Sequence, residues 1–173
     1  MSWAGQKREI SLRFLAEPTD VNFGGKVHGG TVIRWIDQAG YAAAVGWSGQ
    51  YCVTVAVGGI RFLQPVLIGD LVSVTATLIR TGTSSLNVAV DVMSRNLQTS
   101  EEKLTTHCVI VFVAVDPDSG TPVAVPEWKQ VAERDRELAA YALRIKELST
   151  HVDVEAARYL PARAVAVARK PAS

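Results

Sequence analysis

The segment 20–44 constrains the fold of this chain more than any other, because a glycine-rich loop in it runs directly into a long apolar helical pattern. The pair Gly29-Gly30 leads into the helix, and the pattern continues to about Val45. At about 100° per residue, one stripe of this helix is apolar throughout. Its members are Val32, Ile33, Ile36, Ala39, Gly40, Ala43 and Ala44. We predict that this stripe faces the core.

One carboxylate, Asp37, lies at the edge of that stripe, close to Ile33 and Tyr41 on the helical wheel. Arg34 and Gln38 lie on the opposite side, which we expect to face solvent. A half-buried carboxylate is partly desolvated, and desolvation makes such a group a stronger base or a less shielded nucleophile. Asp37 is therefore a candidate catalytic residue. The alternative is an acid at a helix edge that bonds a neighbouring backbone group or arginine.

The loop before the helix offers hydrogen-bond donors. Small residues at a helix start let N–H groups point into a cavity, where the helix dipole favours an oxyanion. Gly29 and Gly30 are placed for this role, and Asn22 offers a side-chain amide that can orient water or a carbonyl. His28 can face the substrate or brace the loop. The alternatives are glycines that only permit a tight turn and an asparagine that only caps the loop.

The motif N-x-x-G-x-V-H-G-G at 22–30, followed by the apolar helix with its acid, resembles the acyl-CoA thioesterases of the hotdog fold. It is similar in particular to the cytosolic long-chain acyl-CoA hydrolase branch. The likeness continues through 53–96 and covers roughly residues 9–125. It implies an α+β hotdog fold, in which one long helix is wrapped by a curved antiparallel sheet, with an appended C-terminal helix.

The same resemblance implies an enzyme that hydrolyses the thioester of fatty acyl-CoA to free acid and CoA. Asp37 would act as general base or nucleophile, and the N–H groups of Gly29 and Gly30 would form the oxyanion hole. Asn22 would position the water or the thioester. The family's site lies at a dimer seam, so Asn22 and Asp37 of one site would come from different subunits. No cofactor is expected, since CoA is part of the substrate, and three histidines without ligand spacing predict no metal site.

Two further segments are predicted to contact CoA. Gly58-Gly59 interrupts a strand at 51–62, which indicates a bulge or a close approach by ligand or backbone. The resemblance implies that the pantetheine arm runs past this strand, and Arg61 belongs to the same predicted group. The connection 79–85 offers one cation and several hydroxyls for a nucleotide phosphate, or is an ordinary polar turn. Its candidates are Arg80, Thr81, Thr83, Ser84 and Ser85.

Alternating apolar residues predict four more strands, the second and third of which form a hairpin. Their bounds are 9–16, 71–78, 86–93 and 103–115. Helical periodicity at 126–150 predicts a C-terminal helix. The resemblance implies that this helix packs along an oligomer or near the CoA entrance, and the alternative is a solvated helix. We divide the chain into a hotdog thioesterase domain, 1–125, and a helical extension and tail, 126–173.

Composition excludes some classes of partner. The 173 residues carry a net charge of +1 with both signs interspersed, so no nucleic-acid partner is expected. No apolar run approaches a membrane span or a signal core, which predicts a cytoplasmic protein without membrane association. Cys52 and Cys108 lie in apolar strand patterns, as buried thiols in a reducing compartment do. An uncovered sheet edge predicts a homo-oligomer, a dimer that pairs further into tetramers or hexamers.

Two other functions fit parts of the pattern. A hotdog dehydratase or hydratase needs a histidine and an acid across the Cα and Cβ of an acyl thioester, and His28 with Asp37 offers that pair. A non-catalytic acyl-CoA-binding sensor is the other alternative. His107 stands in an apolar strand without a nucleophile motif, so a structural role is predicted for it. Asp70 is interpreted as a turn residue.

Overall fold

The computed structural model describes residues 6–160. Its elements are β1 (Glu9–Leu15), α1 (Gly29–Ser48), β2 (Cys52–Phe62), β3 (Leu71–Thr81), β4 (Ser85–Arg95), β5 (Glu102–Ala114) and α2 (Glu133–Ala156). The strands form one antiparallel sheet in the order β1-β3-β4-β5-β2. The fold is the predicted one, since a long helix packs on one face of the sheet and a second helix follows the strands. No helix within 6–160 is long and apolar enough to cross a membrane.

The inner face of the sheet, which we define as the face that packs on α1, holds most of the core. Alternate side chains of a strand point to the same face, and on β4 this set is apolar and fully buried from Leu86 to Val92. On β5, the Phe112 ring lies directly under the middle of α1. A Cβ atom at Gly40 would lie 3.0 Å from that ring, so the absence of a side chain at Gly40 permits the close packing.

The outer face of the sheet, on which α2 packs, holds a much smaller cluster. Ile79, Ala89 and Val109 of the sheet are buried against Ala142 of α2, and three half-buried α2 residues surround them. The helix comes closest at the edge strand, where a Cβ atom at Gly58 would lie 2.7 Å from Ile145 Cγ2. The glycine pair of β2 therefore makes room for α2 as well as introducing the predicted bulge, which the register shift between Gly58 and Arg61 confirms.

α1 is longer than predicted. The helical pattern predicted an end at about Val45, but the helix continues to Ser48. Its end is at Gly49, which has a φ of +66° and donates its N–H to the Val45 carbonyl. A left-handed residue with that hydrogen bond is a common helix terminator, and Gly46, inside the helix, does not have this conformation. The prediction for Ile33 is also wrong, because its side chain is 43% exposed whereas Trp35 is buried in the core.

α2 begins later than predicted, at Glu133 instead of residue 126. Trp128, which lies inside the predicted helix 126–150, is in the segment without regular structure that precedes the helix. Its N–H donates to Thr81 Oγ1, and the Arg8 guanidinium stacks 4.3 Å from its ring centroid. Trp128 is therefore buried by contacts with the sheet, not by a helix. The division of the chain at residue 125 stays a prediction, and the tail after residue 160 lies outside the described residues.

The strands lie where the alternation predicts them, with small differences at their ends. The largest concerns the hairpin of β3 and β4, whose connection shortens to 82–84. Arg80 and Thr81 extend β3 because they pair across the hairpin with Asn87 and Leu86. Three of the predicted phosphate-binding residues are thus strand residues, not loop residues, because Ser85 is the first residue of β4.

Candidate active site

Asp37 lies in the middle of α1 and faces β2. The Thr54 hydroxyl of β2 donates a 2.7 Å hydrogen bond to Asp37 Oδ1. The carboxylate is exposed in the single subunit, so the predicted half-burial is wrong at this level. Ile33 and Tyr41, one turn before and one turn after, are 43% and 40% exposed. The Asp37 side of α1 is therefore left uncovered by the described residues of its own subunit.

The N-terminus of α1 presents free backbone donors. The first helical hydrogen bond runs from Val32 N–H to the His28 carbonyl at 3.2 Å. Within residues 6–160, the N–H groups of Gly29, Gly30 and Thr31 have no acceptor. Gly29 also lines a cavity of about 280 Å³ with apolar walls that include Phe62. The backbone N–H groups of the two glycines are therefore available as hydrogen-bond donors.

The carboxylate and these donors do not meet within one subunit. Gly29 and Asp37 are separated by about two helical turns, which corresponds to about 12 Å along the axis. A nucleophile has to approach the reacting carbonyl to about 3 Å, and a general base has to bind the water that attacks it, while the donors touch the carbonyl oxygen. One helix alone therefore cannot place both groups on the same thioester.

Asn22 and His28 each use some of their atoms in hydrogen bonds that stabilise the loop before α1. Asn22 Oδ1 accepts hydrogen bonds from Gly24 N–H at 2.9 Å and from Lys26 N–H at 3.3 Å. This is the loop-capping alternative, but it engages only the oxygen, and the amide nitrogen has no partner within 6–160. His28 braces the loop through its backbone, whose N–H donates to the Asp20 carbonyl at 2.7 Å. Its exposed ring makes no hydrogen bond in that same range.

A second cavity, of about 410 Å³, lies between α2 and the outer face of the sheet. It brings together most of the residues predicted to bind CoA, namely Gly58, Arg80, Thr83, Ser84 and Ser85. Thr81 and Arg61 are not on its lining, and the Thr81 hydroxyl is occupied by the Trp128 N–H. Gly59 lines a neighbouring groove under α2. Five of the eight residues predicted to bind CoA therefore line one cavity, and the other three lie outside it.

Four contributors to these sites were missed. Thr54 could not be identified from the sequence, because threonine is common in strands and only the structure shows its contact with Asp37. Lys146 of α2 lines the outer cavity, which no analysis of the sheet alone would show. Asn87 lines it too, and here a signal existed, since it is a polar residue in an apolar strand pattern. A fourth, the buried Thr106 hydroxyl, lines the Gly29 cavity and has no hydrogen-bond partner within 6–160.

The residues interpreted as structural have structural contacts. His107 joins the sheet to α2, because its Nδ1 lies 2.6 Å from Asp91 Oδ1 and its Nε2 lies 2.8 Å from the Tyr141 hydroxyl. Burial raises the pKa of Tyr141, and the charge of Asp91 adds to the effect. Asp70 is buried in its turn, where it accepts hydrogen bonds from Ser94 Oγ and Leu67 N–H.

Both cysteines are buried and unpaired, as predicted. Burial raises the pKa of Cys52, and it raises the pKa of Cys108 to about 12, with the charge of Asp91 contributing to the second shift. Neither thiol is a nucleophile near neutral pH. Within 6–160 there is no group of three or more histidine, cysteine, aspartate or glutamate residues that could hold a metal ion.

Comparison with known proteins decides the family. The profile of the Thioesterase superfamily matches residues 24–101. The acyl-CoA thioester hydrolase YciA of Salmonella typhimurium is 34% identical over 121 residues, which cover 68% of this chain and 90% of that protein. The chain belongs to the thioesterase superfamily. The predictions of the hotdog fold and of an enzyme of the thioesterase class are thereby confirmed.

Solved structures of other superfamily members are similar over most of the chain. An apo-hexameric acyl-CoA thioesterase superposes with a TM-score of 0.79 and 30% identity, covering 87% of this chain and 96% of the other. A hexameric broad-specificity acyl-coenzyme A thioesterase, solved with one aspartate replaced by alanine, has a TM-score of 0.64 and 30% identity, with coverages of 79% and 96%. This thioesterase thus shares the arrangement of helix and sheet with these two enzymes.

Proposed function

We propose that this thioesterase hydrolyses acyl-CoA to the free acid and CoA, with Asp37 as its general base or nucleophile. The observation that carries the proposal is the Asp37 carboxylate, held by Thr54 on an uncovered face of α1. The names of the relatives support the substrate class, since the 34% identical protein is an acyl-CoA thioester hydrolase. A 30% identical acyl-CoA thioesterase was solved as an aspartate-to-alanine variant, which supports a central aspartate.

The site is completed by a second subunit. Asp37 and the Gly29 donors of one chain are about 12 Å apart along α1, so a reacting thioester needs one group from each of two chains. The surface beside Asp37 is suited to a partner copy, because β2 is an edge strand and carries exposed Val57 and Phe62. We propose a dimer through this surface, assembled further into the hexamer that both solved relatives form.

The proposed reaction uses groups that can each form a further hydrogen bond. The N–H groups of Gly29 and Gly30 polarise the thioester carbonyl and hold the oxyanion as it forms. Asp37 either removes a proton from the attacking water or attacks the carbonyl carbon itself to give a mixed anhydride, which water then hydrolyses. In both routes the C–S bond breaks, CoA leaves as the thiolate, and the acid is released. The free amide nitrogen of Asn22 orients the water or the carbonyl.

The finer assignments belong to the same proposal. We place the substrate among fatty acyl-CoAs and the enzyme in the cytosolic long-chain branch, which the motif at 22–37 resembles. A cytoplasmic location stays a prediction from the sequence. The CoA moiety is proposed to contact the residues of the outer cavity, including Arg80 and the hydroxyls of the β3–β4 connection.

The test is thiol release from a panel of acyl-CoAs, from short to long chains, by the wild type, Asp37→Ala and Asp37→Asn. Loss of the base or nucleophile is expected to lower kcat by about 10²–10⁴-fold. Asp118→Ala is the control, since Asp118 lies in an exposed turn away from α1, and its kcat is expected to stay at the wild-type value. The chain-length profile of the wild type then identifies the acyl group.

Absence of turnover on the whole panel, with binding of acyl-CoA retained, would contradict hydrolysis and favour a sensor. Single turnovers separate the two routes for Asp37. An acyl adduct on the quenched enzyme, detected by mass spectrometry and absent in Asp37→Asn, identifies the nucleophile. Complete single turnover without a detectable acyl adduct on the quenched enzyme favours the general base.

A further inference from the structure

A second groove crosses the outer face of the sheet, on the other side of α2 from the outer cavity. Side chains of β3, β4 and β5 form its floor, α2 forms its wall, and its volume is about 810 Å³. We name it the Tyr141 groove, after the residue that meets Asp91, His107 and Arg144 in it. None of these four residues has a part in the proposed hydrolysis of acyl-CoA.

Three of these side chains form a chain of hydrogen bonds. Asp91 and His107 lie directly opposite each other on β4 and β5. The Nδ1 atom of His107 lies 2.6 Å from Asp91 Oδ1, and its Nε2 atom lies 2.8 Å from the Tyr141 hydroxyl. Because an ionised carboxylate only accepts hydrogen bonds, Nδ1 carries the proton of the neutral imidazole. Nε2 is then the acceptor, and the Tyr141 hydroxyl donates to it.

A hydroxyl, an imidazole and a carboxylate in this order are the arrangement that activates a nucleophile. The base lies within hydrogen-bond reach of the hydroxyl, and the carboxylate fixes the orientation and tautomer of the base. The groups are also accessible, since the side chains of His107 and Asp91 are 32% and 51% exposed and Tyr141 is half-buried. A small molecule in the groove can therefore reach the hydroxyl.

Arg144 supplies the cation that such a reaction needs. It follows Tyr141 by three residues on α2, so the two side chains lie on the same side of the helix. Its guanidinium has no ion pair within 6–160, whereas Arg8 and Arg134, the other arginines of the groove, each pair with an acid of α2. A cation that is not already neutralised can stabilise the oxyanion of a tetrahedral intermediate.

We propose that Tyr141 is the nucleophile of a second active site, which transfers the acyl group of an activated carboxylic ester to the phenol oxygen and then to water. His107 is the general base, Asp91 orients it, and Arg144 holds the oxyanion. The site does not depend on Asp37, which lies on α1 at the inner face. The inference therefore goes beyond the proposed thioesterase function.

The first half of the reaction forms an acyl-tyrosine. The Tyr141 oxygen attacks the ester carbonyl carbon while its proton passes to His107 Nε2, and Arg144 stabilises the carbonyl oxygen as it becomes negative. The bond between the carbonyl carbon and the leaving oxygen then breaks, and the leaving group takes the proton from Nε2. In the second half, water attacks the acyl carbon and gives its proton to His107. The Tyr141 phenolate leaves and takes that proton back.

The chemistry of a phenol limits the substrates to activated esters. Burial raises the pKa of Tyr141 above its ordinary value of about 10, so the phenolate does not form near neutral pH without a base. A phenolate displaces only leaving groups that are no more basic than itself, which selects aryl and enol esters and excludes alkyl esters and amides. Ile79, Ala89 and Leu138 provide an apolar surface for the aryl or acyl group.

The test uses p-nitrophenyl acetate with the full chain carrying Asp37→Ala, so that the thioesterase site does not contribute. This protein is expected to release p-nitrophenolate and, after an acid quench, to carry an acetyl group on Tyr141, which peptide mass spectrometry locates. Tyr141→Phe in the same background is expected to remove the acetyl group, and His107→Gln to lower the rate by about 10²–10⁴-fold, the usual contribution of a general base.

Tyr159→Phe and His151→Gln are the matched controls, because they change an exposed tyrosine and an exposed histidine that lie outside the groove. Both are expected to keep the rate and the acetyl group on Tyr141. Tyr141→Phe with Asp37 intact is expected to hydrolyse acyl-CoA as the wild type does. Loss of thioester hydrolysis in that variant would contradict the separation of the two sites.

Absence of an acetyl group on Tyr141 in the Asp37→Ala protein, or equal acetylation of Tyr141 and Tyr159, would overturn the proposal. These results come from the folded parent protein, so they do not depend on the stability of any groove variant. A purely structural chain of hydrogen bonds would lower the melting temperature of His107→Gln but give no acetylated Tyr141 in the parent. A failure of either kind leaves the role of Asp37 in acyl-CoA hydrolysis untouched.

Discussion

The two faces of the sheet differ in how completely they are covered. On the inner face, alternate residues of β3, β4 and β5 are fully buried against α1, and the packing is close enough to require Gly40. On the outer face, α2 buries a cluster of four residues and leaves cavities on either side of it. The inner face provides most of the stabilisation through apolar burial, whereas the outer face leaves space for ligands.

The comparison also separates two kinds of functional contribution. The carboxylate proposed to react is on α1, at the edge of the inner face. The residues proposed to contact CoA line the cavity under α2, on the outer face. Changes on the inner face are therefore expected to affect stability or kcat, and changes on the outer face to affect KM. The following measurements test this difference between the two faces of the sheet.

The largest effect is expected for truncation of the core on the inner face. Phe112→Ala removes a fully buried ring and is expected to lower the free energy of unfolding by about 3–5 kcal/mol. Ile145→Ala, under α2, removes a half-buried side chain beside an open cavity and is expected to cost about 1 kcal/mol. Urea denaturation of both variants gives the two values. Similar losses would mean that α2 stabilises the fold as much as α1 does.

A smaller effect is expected at two adjacent residues of β2 that serve different faces. Thr54→Val removes the hydrogen bond to Asp37 and is expected to lower kcat by about tenfold with KM unchanged, since the carboxylate loses its orientation. Thr54→Ser keeps a hydroxyl and is expected to restore most of the rate. Val55→Thr, which changes the outer side, is expected to leave kcat unchanged. A normal rate in Thr54→Val would remove the positioning role.

The smallest effect concerns the pH dependence of the start of α2. The Ala132 N–H donates to the Asp135 carboxylate and lowers the pKa of Asp135 below its ordinary 3.8, and Arg8 contributes, at 2.8 Å. A pKa that is depressed in the folded state stabilises the fold above the unfolded value. That stabilisation is lost as the pH falls below about 3.8 and through the folded pKa. Acid is therefore expected to weaken the start of α2.

The difference in melting temperature between the wild type and Asp135→Asn, measured from pH 6 downward, checks this prediction. The wild type is expected to be the more stable protein at pH 6, and the difference should shrink as the pH falls through the folded pKa. Gln130→Ala, in the exposed segment before α2, is the control, because an uncharged side chain cannot give a difference that changes with protonation. A difference that is constant with pH would show that Asp135 acts without its charge.

The strands and α1 could be predicted because their side chains repeat with the period of the element. The errors lie where a distant contact overrides the local pattern. Trp128 continues the helical spacing of α2, but it is buried by Thr81 and Arg8 of the sheet. Ile33 fits the apolar stripe of α1, but no strand of the same subunit covers it.

The candidate site follows the same rule. Asp37, Gly29 and Gly30 could be predicted from the order of a glycine-rich loop, a helix and an acid. The burial of Asp37 could not, because it depends on how far the sheet extends beside α1. Thr54 and Lys146 could not be predicted either, because each becomes part of a site through an element that is distant in the chain. Asn87 was visible as a polar residue in an apolar strand, but the cavity that it lines was not.

The sequence by itself determined the elements and the inner core, because the periods of helix and strand are properties of the local chain. It also determined which residue types are available for chemistry. The tertiary structure alone decided that α2 packs on the outer face, that a cavity opens between it and β5, and that Asp37 stands on a face left for a second subunit. Those outcomes depend on the volumes and hydrogen-bonding groups of side chains that are far apart in sequence. The local periodicity of the chain carries no information about such contacts.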